Sequence, residues 1–110
     1  MSLQFPDIIT KLPQANISID GVVGYLSQAD THQIVFLSFE KDTTIPVHSH
    51  ANQWELVLDG KVDVIIKNEK HTYEKGDYFF IEKDVPHSAF VHKGYRAIAF
   101  FDEKHRYKKK

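Results

Sequence analysis

A chain of 110 residues with 42% hydrophobic and 13% aromatic content can build one packed domain, not comfortably two, and is too apolar for global disorder. Its formal charge of -1, from 14 basic and 15 acidic residues, leaves no basic stripe for nucleic acid, and the absence of cysteine excludes disulfides and thiolate metal or redox chemistry. No apolar run is long enough to cross a bilayer, and Met1 to Phe5 lack the basic-then-apolar pattern of a signal peptide, so a soluble cytoplasmic protein without membrane or nucleic-acid partners is expected.

In chain order, residues 1–16 read as an N-terminal arm, with one helical turn at Pro6-Asp7-Ile8-Ile9 that Pro13 stops. After about Ile17 the pattern is short strands divided by turn residues. Gly21 to Ser27 is a strand, and Asp30-Thr31 turns the chain. His32 to Glu40, rich in β-branched and aromatic residues, is the next strand. Val47 to His50 is a short strand, and Ala51-Asn52 a loop. Gln53 to Leu58 resumes the sheet, and Asp59-Gly60 closes a hairpin. Lys61 to Lys67, His71 to Glu74, Tyr78 to Ile81, Ser88 to His92 and Tyr95 to Phe101 complete the series. Strands every eight to twelve residues with tight turns predict an all-β sandwich or barrel spanning residues 17–103. Residues 104–110 are a basic tail expected to fray.

The chain holds 7 histidines. His48 and His50 stand two apart, which on a strand puts both imidazoles on one face. By the same period Gln53 and Glu55 share a face, and His87 follows Pro86 at the start of a later strand. Without thiolates, imidazole, carboxylate, amide and water are the available ligands, which suit hard or borderline divalent ions. His32 is a lesser candidate for a fourth imidazole or a pocket acid–base group. His71 and His105 read as surface residues.

Together these residues resemble the cupin superfamily, whose first motif runs Gly, five residues, His-x-His, three or four residues, Glu, six residues, Gly. The matching stretch is His48-Ser49-His50-Ala51-Asn52-Gln53-Trp54-Glu55-Leu56-Val57-Leu58-Asp59-Gly60. The second motif, Gly, five residues, Pro-x-Gly, two residues, His, three residues, Asn, is matched by Gly76 through His87 to Val91. Asp42 replaces the leading Gly, Glu82-Lys83-Asp84 replaces Pro-x-Gly, and Val91 replaces the last Asn. Asp84 suits a turn that otherwise takes Gly, because Asp tolerates the left-handed region.

The resemblance implies a single double-stranded β-helix (jelly-roll) barrel around one divalent ion, Zn, Mn, Fe or Ni, held by His48, His50 and His87. For the fourth ligand two spacings disagree: four residues after His50 lead to Glu55, and six before Gly60 lead back to Gln53. Gln53 is favoured, because a strand keeps register better than a loop, and Glu55 is then a base or substrate contact. The resemblance further implies a small-molecule ligand, with Phe36, Trp54, Phe80, Phe90 and Phe100 as lining candidates. It implies a homodimer joined at an edge strand. The activity is either metal-dependent catalysis, of dioxygenase, isomerase, cyclase or decarboxylase type, or non-catalytic binding as a sensor.

Overall fold

The computed structural model describes residues 4–110, so Met1 to Leu3 of the expected arm lie outside it. The expected helical turn is α1 (Asp7–Thr10), which opens on Pro6, whose carbonyl accepts from the N–H groups of Ile9 and Thr10. Nine strands follow: β1 (Val22–Gln28), β2 (Gln33–Phe39), β3 (Thr43–His48), β4 (Gln53–Asp59), β5 (Lys61–Ile66), β6 (Glu69–Glu74), β7 (Tyr78–Ile81), β8 (His87–Val91) and β9 (Arg96–Phe101). They form two antiparallel sheets, ordered β1-β2-β9-β4-β7 and β3-β8-β5-β6. No described helix is long and apolar enough to cross a membrane.

Alternation builds the core. Val35, Leu37 and Phe39 of β2, Ala97, Ala99 and Phe101 of β9, and Val57 of β4 point inward from one sheet; Val62 and Val64 of β5 and Val91 of β8 meet them from the other. This is a jelly roll, whose central strands hide one face and show the other. The turns obey their chemistry. Lys67 and Asn68 both have positive φ, 52° and 63°, as a two-residue hairpin turn between β5 and β6 requires. Asp84 has φ 63°, so it does take the conformation a glycine would supply.

Two expectations need correction. The strand expected over Val47 to His50 runs earlier, over Thr43–His48, and His50 lies beyond its end. Ile45 pairs with Ala89 and His48 with His87, so β3 spends three steps where β8 spends two. This bulge falls at Pro46, which has no N–H for a ladder, and it turns Val47 outward and His48 inward. The expected frayed tail is instead docked. Lys110 N–H donates to Gln14 O at 2.8 Å, and Asn16 N–H to Lys108 O at 2.7 Å. Buried Gln33 holds it from below, donating to Lys104 O and Tyr107 O and accepting from Tyr107 N–H.

Candidate metal centre

His48, His50 and His87 converge at one mouth of the sandwich. Ring centroids are 5.2 Å apart for His48–His50, 4.3 Å for His48–His87 and 4.8 Å for His50–His87. One ligand atom from each lies within 4.8 Å of the others. In every ring Nδ1 is bonded to a nearby backbone carbonyl: His48 to Pro46 O at 2.9 Å, His50 to Ala51 O at 2.8 Å, His87 to Val85 O at 2.9 Å. A carbonyl oxygen only accepts, so Nδ1 carries the proton and Nε2 presents a bare lone pair. Burial lowers the His50 pKa to about 4, aided by the charge of Arg106 and the neighbouring histidines; His87 is lowered too, chiefly by burial. Both rings are therefore neutral at neutral pH, the form a metal needs.

Gln53 and Glu55 point into the same interior from β4 and are buried. Gln53 Nε2 donates to Glu55 Oε1 at 2.8 Å, and the Tyr95 hydroxyl donates to Glu55 Oε2 at 2.5 Å. Burial raises the Glu55 pKa to about 7 against the pull of these two bonds. Burial and the nearby Glu55 charge raise that of Tyr95. Glu55 is not part of the cluster of mutually close ligand atoms. Gln53 commits its amide nitrogen to Glu55, which leaves Oε1 as its free donor atom. Three bare imidazole nitrogens close to one another suit a borderline divalent ion, and Gln53 lines the same cavity.

Beside the triad is a cavity of about 170 Å³, walled mainly by Leu37, Phe39, Val62, Phe79, Ile81 and Phe101. None of the aromatics expected to line it does so. Phe36, Trp54, Phe80 and Phe100 alternate with the inward residues of their strands and face outward, and Phe90 likewise alternates with Ala89 and Val91. Once Gln53 and Glu55 are inward, Trp54 must be outward. His32 stacks on Phe100 outside the barrel, and His92 Nε2 pairs with Asp63 at 2.9 Å, so neither belongs to the site. Tyr95, Arg106 and Tyr107 line the cavity without having been singled out. The only available hint was an aromatic residue in an otherwise basic tail.

The family model described as "Cupin domain" matches residues 35–101, and the chain belongs to that family. Over 64 residues it is 39% identical to quercetin 2,3-dioxygenase of Bacillus subtilis, an alignment covering 56% of this chain and 19% of that enzyme; the chain thus spans about a fifth of its length. An RmlC-like cupin from Shewanella frigidimarina superposes with TM-score 0.75 at 21% identity, over 87% of this chain and 88% of that one. A variant of Bacillus subtilis oxalate decarboxylase superposes with TM-score 0.73 at 16% identity, over 87% of this chain and 28% of that one. At these identities the two structures speak for the fold.

Proposed function

We propose that the chain binds one divalent metal ion through Nε2 of His48, His50 and His87 and Oε1 of Gln53, and transforms a small organic molecule in the adjoining cavity. The observation that carries this reading is the triple of Nδ1–carbonyl bonds: each fixes a ring and aims its lone pair away from the backbone, as outer partners of metal ligands do. The metal, Zn, Mn, Fe or Ni, would supply Lewis acidity to an oxygen of the bound molecule. Glu55 holds the Gln53 amide in place and, with its pKa near 7, can take or give a proton at the cavity wall. That carboxylate favours an enzyme over a passive sensor, because a binding module has no need of a buried group poised near neutrality. The similar proteins named for chemistry on quercetin and oxalate are in keeping with an oxygen-bearing substrate. We also propose that the chain acts as a homodimer, on the strength of its apolar outer sheet face.

Elemental analysis of protein purified without a histidine tag tests the ligand set. One ion per chain is expected, and His48→Ala is expected to lower occupancy at least tenfold while remaining folded. Gln53→Glu should hold the ion more tightly, since a carboxylate replaces a neutral amide. Wild-type protein that takes up no stoichiometric metal on reloading would refute the reading. A Gln53→Glu variant with unchanged metal affinity would remove residue 53 from the set.

A further inference from the structure

The cavity wall carries a cation without a counter-ion. Arg106 lines the cavity, and its Nε is buried with no hydrogen-bond partner. Among the described residues no carboxylate forms an ion pair with it. Its Cζ sits 4.4 Å from the Tyr107 ring centroid and 5.5 Å from that of Phe101, so aromatic faces hold the half-buried guanidinium while its Nε stays unpaired. The position is fixed from beneath by Gln33, which binds both backbone groups of Tyr107. Its charge reaches His50 and His87. A guanidinium cannot shed its proton and offers five donors in a planar fork matched to a carboxylate.

The proposed ligands are all neutral, so the bound ion would keep its full charge. Arg106 adds another positive charge, and the one buried carboxylate nearby is already bonded to Gln53 and Tyr95. An apolar chamber with this surplus attracts an anion. Its volume, about 170 Å³, slightly exceeds the roughly 150 Å³ of a cavity that accepts benzene. We infer that the site takes a small organic monocarboxylate with a compact apolar body, and that Arg106 is the residue that binds its carboxylate beside the metal. This inference rests on the metal reading above.

The test uses the full chain loaded with zinc, with benzoate and its neutral counterpart benzamide as probes, titrated calorimetrically. Benzoate is expected to bind at least tenfold more tightly than benzamide. Arg106→Gln should weaken benzoate tenfold or more, leave benzamide within about twofold, and keep one zinc per chain. In the unaltered protein, the Arg106 Nε–H resonance should shift and exchange more slowly on adding benzoate but not benzamide; this reading needs no variant to fold. Equal affinity for the two probes, or an Nε–H indifferent to benzoate, would overturn the inference with zinc still bound, and leave Arg106 a packing residue of the cavity wall. Absence of zinc from the same samples would instead strike the metal reading, and the Nε–H response then decides the role of Arg106 alone.

Discussion

At the scale of single residues the site sets protons against each other, and the metal-free protein should show it. His50 has a folded pKa of about 4 against 6.5 in the open chain, and His87 is lowered as well. Between those values the unfolded chain binds more protons at His50, so its contribution to stability rises with pH from about 4 to 6.5, and that of His87 rises in the same direction below 6.5. Glu55 runs the other way. Its folded pKa of about 7 exceeds the open-chain 4.5, so the folded state holds the extra proton and stability falls as pH climbs through that interval. The histidines and Glu55 oppose each other below 6.5, and Glu55 dominates just above it. Urea unfolding of chelator-stripped protein should therefore show stability slipping slightly between about pH 6.5 and pH 8, where Glu55 outweighs the histidines. Glu55→Gln should abolish the slip and leave stability rising with pH toward 6.5; a variant whose profile matches the wild type would mean that Glu55 does not titrate as its burial dictates. The three histidines were legible through the spacing of the two motifs, whereas period two holds only for Gln53 and Glu55 on β4, since His50 lies beyond β3. The acceptors that fix their tautomers were not, because Pro46 O, Ala51 O and Val85 O belong to irregular backbone that no periodicity describes.

At the scale of elements, the hairpin turn after β4 supports the site from a distance. Gly60 has φ 74°, and a Cβ there would come within 2.9 Å of Tyr95 Cα and 3.0 Å of Gly94 O. Tyr95 in turn holds Glu55. Gly60→Ala meets both a disfavoured dihedral and a backbone clash, and should cost about 2 kcal/mol, or roughly 10 °C in Tm for a domain of this size. Asn tolerates positive φ but still carries a Cβ, so Gly60→Asn should rescue little. Full rescue by Asn in a thermal melt would assign the cost to the dihedral alone and remove the close approach from the account. The hairpin expected at Asp59-Gly60 was readable: β4 ends at Asp59 and Gly60, at positive φ, leads into β5. The element displaced from its expected place was β3, because a bulge breaks the alternation on which strand reading depends. The docking of the last seven residues escaped notice for a related reason. Its anchor, Gln33, is a lone polar residue on an inward face, and its partners are backbone groups far along the chain.

At the scale of the whole molecule, one surface is out of keeping with a lone soluble domain. Across the five-stranded sheet the register aligns Ile34, Phe100, Trp54 and Phe80 in one row, and Tyr25, Phe36, Ile98, Leu56 and Tyr78 in the next. Both rows face away from the core and contain no charge. Trp54 and Phe100 are each 38% exposed, Phe80 55% and Tyr78 67%. At roughly 200 Å² per fully exposed aromatic side chain, these four present about 400 Å². That is half of the roughly 800 Å² each partner buries in a stable interface, with the half-buried residues of both rows still to be counted. Edge pairing, the mode the resemblance suggested, is closed off at β1, where Leu26 N–H donates to Pro13 O and Ala15 N–H to Gly24 O. The homodimer proposed above would use this face: a flat apolar sheet face packs on its own two-fold mate, and a net charge of -1 adds little repulsion. Trp54 is the single tryptophan and lies in the middle of the face, so it reports on contact directly. Sedimentation should give a dimer at micromolar concentration, with Trp54 emission shifting to the red on dilution. Phe80→Glu should yield a folded monomer with red-shifted emission at every concentration and the same metal content as the wild type. A wild-type monomer at high concentration would refute the pairing, and a dimer that survives Phe80→Glu would move the interface to another face.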